Sequence, residues 1–223
     1  MLLDLLRRRY SCRNFSDKKI SNDIIQYMLE CGRLSASGGN DQPLIFNGST
    51  KIYGDTVSLI DEFASRLKGE IKSISFQNNI SPCVDCRYCW KNIGCAIKDE
   101  MQDIYEHIKT CDNIVIASPI WFSSISGPLL NLASRVQSLF AAGYFQKKQI
   151  LLKEKKGVII IVGAQPETID IPTQTVLAIM RYLNVHRPSV QKIYSVDTNN
   201  LPACEDKAAL EQCRKVADLL NSN

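Results

Sequence analysis

Four of the nine cysteines fall within thirteen residues, at Cys83, Cys86, Cys89 and Cys95. Their spacing is C-x2-C-x2-C-x5-C, so three thiolates can lie at three corners of an iron–sulfur cubane while the fourth completes it. A structural zinc ion usually takes its ligands from two separated pairs, which fits this run less well. Free or reversibly paired thiols are the third interpretation, and the residues leave all three open.

Composition limits the class of protein. The chain has 223 residues, 45% of them hydrophobic and 22% charged, with a formal net charge of +4. Basic and acidic residues are interspersed, so we expect no nucleic-acid partner. We also expect no membrane span, because no apolar run approaches the roughly 20 residues required. The first residues place their positive charges after the apolar ones, the reverse of a signal peptide, and this predicts a cytoplasmic protein.

A second group with chemical potential follows a short apolar run at residues 44–46. Asn47 and Gly48 end that run, a polar loop comes next, and an amphipathic segment starts near Asp55. Hydroxyl, ammonium and backbone groups of this loop, together with the start of a helix, suit an anion such as a phosphate. The candidate residues are Ser49, Thr50, Lys51, Asp55 and Thr56. The loop is neither Gly-x-x-x-x-Gly-Lys-Ser/Thr nor Gly-x-Gly-x-x-Gly, so an ordinary strand-to-helix turn stays an alternative.

A third group follows an apolar run that starts at residue 113. It places two aromatic side chains among hydroxyls, where a flat ring can stack and be hydrogen-bonded. Core packing is the alternative for the two aromatics. The candidate residues are Ser118, Pro119, Ile120, Trp121, Phe122 and Ser123.

The elements that must position these groups alternate between strand and helix. Apolar runs predict strands at residues 44–47, 71–76, 113–118, 157–164 and 190–196. Periodic apolar stripes predict helices at residues 55–67, 101–108, 129–144, 173–184 and 207–220. This order predicts an α/β fold with a doubly wound, five-stranded parallel sheet. Ligands of such sheets bind beyond the carboxyl ends of the strands, which adds the loop that contains Gly163 and Ala164.

Residues 147–156 contain five lysines, directly ahead of the predicted strand at 157–164. Lysines in such numbers can meet a dinucleotide phosphate, but a solvated connection is the favoured interpretation. We therefore expect this stretch to be exposed.

The motifs at residues 46–56, 83–101 and 116–130 together resemble the NADPH-dependent FMN reductase family, a flavodoxin-like group that includes the iron–sulfur flavoproteins. The resemblance covers residues 43–223. It implies bound FMN, electron input from NAD(P)H, and a homodimer or homotetramer. The loop at residues 49–56 would hold the FMN phosphate, and residues 119–123 would line the isoalloxazine. The sequence departs from the family pattern at two places. Thr50 stands where the family usually has proline, and Leu130-Asn131 stands where a lysine is common.

The resemblance to iron–sulfur flavoproteins also implies a [4Fe–4S] cluster on the four clustered cysteines. Two functions follow. In the first, FMN passes electrons from NAD(P)H to a small acceptor such as a quinone, a nitro or azo compound, or free flavin. In the second, FMN and a cluster carry electrons between protein partners such as a ferredoxin.

Residues 1–42 carry a different resemblance. Arg9-Tyr-Ser-Cys-Arg-Asn-Phe and the stretch from Arg33 to Pro43 are similar to the N-terminus of the FMN-dependent nitroreductases. That resemblance would give Arg9, Ser11 and Arg13 to a flavin phosphate, but it ends at about Pro43. We therefore predict an N-terminal helical extension over residues 1–42 and a flavodoxin-like FMN-binding domain over residues 43–223.

Overall fold

The computed structural model describes residues 21–34, 42–75, 77–148, 150 and 152–222. The chain divides into two units, Met1–Gly38 and Gly39–Asn223. In the first unit, helix α1 spans Asn22–Leu34, and the Oγ of Ser21 accepts a hydrogen bond from the N–H of Ile24 at 3.5 Å. Arg9, Ser11 and Arg13 lie outside the described residues, and the extension over residues 1–42 stays a prediction.

The second unit alternates strands and helices, as the sequence predicts. The strands are β1 Pro43–Asn47, β2 Lys72–Ile74, β3 Asn113–Trp121, β4 Ser124–Ile125, β5 Lys156–Val162 and β6 Gln191–Ser195. The helices are α2 Asp55–Ala64, α3 Tyr88–Lys91, α4 Met101–Thr110, α5 Gly127–Ser134, α6 Gln137–Tyr144, α7 Asp170–Tyr182 and α8 Lys207–Leu220. Short 3-10 helices span Pro166–Thr168 and Arg187–Ser189.

Five of the strands form one parallel sheet in the order β2-β1-β3-β5-β6. Successive side chains of a strand point to opposite faces, so Ile114 and Ile116 join one core cluster while Val115 and Ala117 join the other. Helices α2 and α8 cover one face, and α4, α5 and α7 cover the other. The predicted doubly wound parallel sheet is confirmed.

Strand β3 is longer than predicted. It continues past Ser118 to Trp121 and turns back into β4, which adds a short antiparallel strand to the five parallel ones. Trp121 pairs with Ser124, so the turn has two residues, Phe122 and Ser123. The predicted strand at residues 71–76 is shorter, with Phe76 outside the described residues.

The single helix predicted at residues 129–144 is wrong, because α5 and α6 are separate helices. The hydroxyl of Tyr105 donates a 2.8 Å hydrogen bond to the carbonyl of Arg135, the group that Leu139 would otherwise bond in a continuous helix. The N–H of Leu139 bonds Val136 instead, three residues back. A side chain of helix α4 therefore lies at the break in a segment, residues 129–144, whose apolar residues are periodic throughout.

The exposure predicted for the lysines at 147–156 fails at Lys155, and Lys156 at the start of β5 is half-buried. Lys155 is 2% exposed, and its ammonium donates to the carbonyl of Lys153. Burial lowers the pKa of Lys155. Among the described helices, none combines the length and the apolar character needed to cross a membrane.

Candidate functional site

The three loops predicted from the sequence meet at one edge of the sheet. Parallel pairing places Asn47 beside Ala117 and Pro119 beside Val162, so the loops that follow β1, β3 and β5 are neighbours. The N–H of Gly48 donates to the carbonyl of Ala117 at 2.8 Å. A Cβ at Gly48 would lie 2.9 Å from that same oxygen, so only glycine permits the approach.

The loop after β1 is ordered by its own side chains. The N–H of Ser49 donates to Oδ1 of Asn47 at 2.9 Å. The Oγ of Ser49 accepts a bond from the N–H of Lys51 at 3.1 Å and lies 3.2 Å from the Lys51 carbonyl. Ser49 is only 6% exposed, whereas Thr50 and Lys51 lie at the surface. Hydrogen bonds within the loop therefore set its conformation, and the side chain of Lys51 is exposed to solvent.

Helix α2 begins without a side-chain cap. Its N-cap residue is Gly54, with φ 147° and ψ −179°, a conformation that is essentially restricted to glycine. No cap side chain therefore takes a first-turn N–H group, and these donors, with the positive end of the helix dipole, suit an anion. Thr56 is buried in this turn. Asp55 was predicted beside a phosphate, but its Oδ1 accepts a 2.8 Å bond from the N–H of Ala203.

The turn after β3 presents two rings to solvent. Trp121 is 42% exposed and Phe122 is fully exposed. Phe122 and Ser123 have φ of 48° and 56°, the pair of left-handed residues that a two-residue hairpin of this type requires. Left-handed backbone costs a residue with a side chain about 1–2 kcal/mol. The turn therefore keeps an unfavourable backbone conformation at Phe122, whose aromatic ring is exposed to solvent.

The remaining predicted residues are buried or half-buried and pack beneath the exposed turn. Ser118 is fully buried, and its Oγ accepts the N–H of Ser126 at 2.9 Å. Ile120 packs on Gly163, where a Cβ would lie 2.6 Å from the Ile120 Cδ1 atom. Pro119, Ile120, Ser123 and Ala164 are half-buried.

Sequence reasoning missed three residues of this edge, which are Gly48, Gly54 and Ser126. Gly48 ends an apolar run, and Ser126 stands two residues before Pro128 at the start of α5. Those positions are signals of a strand end and a helix start. Their contacts across the sheet had no sequence signal.

The four clustered cysteines line one small cavity of about 20 Å³, together with Trp90 and Arg135 among others. All four are free; Cys83 and Cys86 are exposed, and Cys89 and Cys95 are half-buried. Burial raises the pKa of the Cys89 thiol, and the other three cysteines add to the rise. Within the described residues, no group of three or more His, Cys, Asp or Glu side chains is arranged to hold a metal ion.

Arg135 anchors the segment that carries these cysteines. Its side chain is fully buried at the break between α5 and α6 and forms an ion pair with Asp99 at 2.6 Å. The same guanidinium donates to the carbonyl of Ser81 at 2.8 Å. Burial by itself would lower the pKa of Arg135, but the Asp99 hydrogen bonds together with the nearby groups Tyr105, Cys95 and Asp99 outweigh it and raise that pKa. The arginine therefore stays charged.

Other contacts hold the segment from both sides. The N–H of Cys83 donates to Oγ of Ser134 at 2.9 Å, and Nε2 of Gln146 donates to the carbonyl of Cys89 at 2.9 Å. Trp90 stacks on Phe145 with ring centroids 4.2 Å apart. In the described part of the chain, two buried side-chain polar atoms lack a hydrogen-bond partner, Nε of Arg135 and Oε1 of Gln146. Both belong to side chains that hold this segment.

These observations test whether the cysteines fit an iron–sulfur cluster. Four thiols share one cavity, and a buried cationic side chain with an unpaired N–H donor lines that same cavity. Thiolate ligands and a nearby donor are what a cluster takes from a protein. The chemistry of the donor set therefore suits a cluster, but its arrangement does not, because no three of the described side chains are placed to hold a metal ion and the cavity is only about 20 Å³.

A cavity of about 490 Å³ lies between the ends of α6 and α7. Its lining combines aromatic and basic side chains, including Phe140, Tyr144 and Arg181. None of its lining residues belongs to the three loops at the carboxyl edge.

The strand order and the loops at the carboxyl edge define a flavodoxin-like protein, in which ligands bind where the order reverses between β1 and β3. The sequence profile of the NADPH-dependent FMN reductase family matches residues 43–199. The chain belongs to that family, which confirms the resemblance.

Solved structures share this fold. An FMN-dependent NADH-azoreductase from Bacillus anthracis superposes with a TM-score of 0.59 at 15% identity, over 82% of this chain and 100% of that one. An NADH:FMN oxidoreductase superposes with a TM-score of 0.53 at 13% identity, over 81% of this chain and 88% of that one.

Two archaeal relatives are iron–sulfur flavoproteins. The protein of Archaeoglobus fulgidus is 37% identical over 84 residues, which is 38% of this chain and 40% of that protein. A protein of Methanocaldococcus jannaschii is 27% identical over 121 residues, 52% of this chain and 59% of that protein. The matches thus span about half the length of these relatives.

Proposed function

We propose that this protein is an FMN-dependent oxidoreductase that takes electrons from NAD(P)H and passes them to a small acceptor. FMN supplies hydride and single-electron chemistry when bound. The observation that carries the proposal is the meeting of an uncapped helix N-terminus with an outward-facing aromatic turn at one sheet edge. The family membership and the azoreductase neighbours support it.

Each loop has a part in this proposal. The first-turn N–H groups of α2 and the exposed Lys51 bind the phosphate, because the helix start carries a partial positive charge and Lys51 a full one. Ser49 keeps that loop in its binding shape through its contacts with Lys51. Trp121 and Phe122 stack on or flank the flavin ring and shield it from water. The acceptor is a quinone, a nitro or azo compound, or free flavin, and the assembly is a homodimer or homotetramer.

The direct test is anaerobic. Purified protein is titrated with FMN, followed by flavin fluorescence, and the loaded protein is mixed with NADH or NADPH while flavin absorbance is recorded. We expect stoichiometric binding and bleaching of the flavin by at least one nicotinamide. Absence of FMN binding, or bound flavin that neither nicotinamide reduces, would contradict the proposal.

Two serine variants test the loop assignment. Ser49→Ala removes hydrogen bonds worth about 1–2 kcal/mol together, which predicts about tenfold weaker FMN binding. Ser65→Ala is the matched control, because its Oγ bonds the carbonyl of Glu62 at the other end of α2. Equal FMN affinity in the two variants would place the phosphate elsewhere.

The second candidate is an iron–sulfur flavoprotein that carries electrons to a protein partner such as a ferredoxin. The shared cavity of the four cysteines beside buried Arg135 favours it, as do the names of the archaeal relatives. Iron and acid-labile sulfide, assayed on anaerobically purified protein, decide between the candidates. About four irons per chain would support the cluster. Protein without iron would contradict the second candidate and leave the first one, the hydride-transferring reductase.

We also propose that residues 1–42 form an extension that does not bind this flavin. An Arg9→Ala/Arg13→Ala double variant should then retain FMN like the unchanged protein. Loss of flavin from that variant would contradict this proposal and show that the extension contributes to flavin binding.

A further inference from the structure

We infer that the cavity between the ends of α6 and α7 binds a nucleoside diphosphate, whose base stacks on an aromatic wall while Lys147, Lys148 and Arg181 bind the two phosphates. This ligand site is additional to the flavin site and does not depend on the proposed function. The two lysines belong to the stretch at residues 147–156, for which phosphate binding and a solvated connection are the two interpretations.

The cavity lies at the opposite end of β5 from the flavin loops. Asn184 lines the cavity, and its carbonyl accepts a 3.1 Å hydrogen bond from the N–H of Lys155, one residue before β5 begins. The loop that contains Gly163 follows the other end of β5. A strand of seven residues is about 20 Å long, so Asn184 and that loop are separated by the length of the sheet.

The wall of this cavity is aromatic. Phe140 and Tyr144 stack with ring centroids 5.3 Å apart, and Tyr182 meets Phe140 edge-on at 5.5 Å. Tyr144 and Tyr182 are exposed, so both rings retain surface that a planar base can cover. The cavity volume of about 490 Å³ falls within the range of about 300–1,000 Å³ that is typical of small-molecule sites.

The charges at this cavity are positive. Among its described lining residues, Lys147, Lys148 and Arg181 carry charge and no carboxylate is present. None of these three cations forms an ion pair with another residue that the structure describes. The carboxyl ends of two helices offset about half a charge each, so roughly two positive charges remain without a counter-charge. A diphosphate supplies that counter-charge.

Lys147 has an unfavourable backbone conformation at the cavity. Its φ is 54°, and the N–H of Lys148 donates to the carbonyl of Ala142, six residues back, at 3.1 Å. Helices that end in this way usually have glycine at the left-handed position, because a side chain is disfavoured there. The Lys147 ammonium lies over the Tyr144 ring, 5.4 Å from its centroid. A solvated connection requires no lysine at this position, whereas a phosphate site uses its charge at the cavity wall.

The binding test uses the purified protein with FMN added, and isothermal titration calorimetry. ADP is the probe, pyrophosphate supplies the phosphates without the ring, and adenosine supplies the ring without the phosphates. We expect one ADP per chain, bound at least about tenfold more tightly than either fragment. No binding of ADP at millimolar concentration, or a fragment that binds as tightly as ADP, would overturn the inference.

Two arginine variants test the phosphate contact. Arg181→Gln removes a charged donor, so ADP should bind about tenfold more weakly or worse. Arg66→Gln is the matched control, because it removes the same charge from an exposed arginine just beyond the end of α2, and ADP affinity should not change. Unchanged affinity in Arg181→Gln would place the phosphates elsewhere, and equal weakening in both variants would assign binding to net charge. Either result would overturn the inference.

Two further variants cover the case in which Arg181→Gln fails to fold. Lys147→Gly relieves the left-handed backbone, so the urea midpoint without ADP should rise while ADP affinity falls. Tyr144→Leu removes an exposed ring, so ADP affinity should fall while pyrophosphate affinity stays the same. ADP affinity that is unchanged in either variant would contradict the assigned contacts and overturn the inference.

Nicotinamide cofactors also carry a diphosphate, so competition separates the two sites. ADP affinity is measured by the same calorimetry with NADH or NADPH present in excess. We expect unchanged ADP affinity, since the cavity and the flavin loops lie at opposite ends of β5. ADP affinity that falls as the nicotinamide concentration rises would make this cavity part of the nicotinamide site, and the inference of an additional site would be wrong.

Discussion

The Oγ of Ser126 donates a hydrogen bond of 2.6 Å to the carbonyl of Gly48, 78 residues earlier in the chain. Ser126 is fully buried, and its N–H bonds the Oγ of Ser118. Through its hydroxyl and its backbone N–H, Ser126 therefore joins the loop after β1 and strand β3 to the start of α5. Two of the loops in the candidate flavin site share this contact.

Ser126→Ala should loosen both loops at once. It leaves a buried carbonyl without this donor, so we expect a loss of about 1–3 kcal/mol in unfolding free energy and weaker FMN binding. Urea unfolding and a flavin titration measure the two effects. Ser222→Ala, which removes an exposed hydroxyl at the end of α8, should change neither, and a Ser126→Ala protein with unaltered FMN affinity would contradict the role of the contact.

Gly163→Ala should damage the site through Ile120. The new Cβ would lie 2.6 Å from the Ile120 Cδ1 atom and 3.3 Å from its Cβ, so the Ile120 side chain or the turn that follows it has to shift, and FMN affinity should fall. Ile120→Ala removes the obstructing atoms, so the double variant should bind FMN better than Gly163→Ala alone.

A glycine in α6 gives the control for the comparison of the Gly163→Ala and Ile120→Ala single and double variants. Gly143→Ala places its Cβ in open space within α6, and we expect it to gain about 0.5–1 kcal/mol of stability with no effect on FMN. Strictly additive effects of Gly163→Ala and Ile120→Ala would show that the two positions do not interact.

Phe122→Gly should move stability and binding in opposite directions. Glycine relieves the left-handed backbone at φ 48°, which predicts a gain of about 1 kcal/mol in the flavin-free protein. The exposed ring that we propose contacts the flavin is lost, so FMN should dissociate more readily. Thermal unfolding with and without FMN measures both; lower stability without flavin, or unchanged FMN affinity, would show that the ring has a packing role instead.

Alkaline pH should destabilise the fold through three buried groups. Burial raises the pKa of Tyr105, Cys111 and Cys213 to about 12, above the ordinary values of 10.0 and 9.0. Each group binds its proton more tightly when folded, so its contribution is complete below pH 9 and is lost as pH rises toward 12. The urea midpoint should therefore fall between about pH 8 and about pH 10.5.

Cys213→Ala supplies the comparison for this prediction. It removes one titrating group, whose Sγ lies 3.6 Å from the Leu59 carbonyl, so the variant is less stable at neutral pH but should lose less on going to alkaline pH. An equal loss in both proteins would assign the alkaline effect to other groups.

The sequence alone determined the fold class and the positions of the three loops. Strand-forming runs such as residues 114–117 are apolar throughout because both faces of a central parallel strand are buried, and that pattern is local. The order of strands and helices then left few topologies. The same local patterns placed Trp121 and Phe122 just beyond a strand and the phosphate-sized loop just before a helix, and they showed four cysteines close together.

Tertiary structure alone decided which groups those residues meet. Tyr105 divides a continuously periodic segment by taking the Arg135 carbonyl, Lys155 is buried in a lysine-rich stretch, and Asp55 accepts a hydrogen bond from Ala203, 148 residues later in the chain. Periodicity reports only a residue's own element, whereas these contacts depend on how distant elements pack. The buried guanidinium of Arg135 beside the cysteines is of the same kind, because the two segments come together only in the folded sheet.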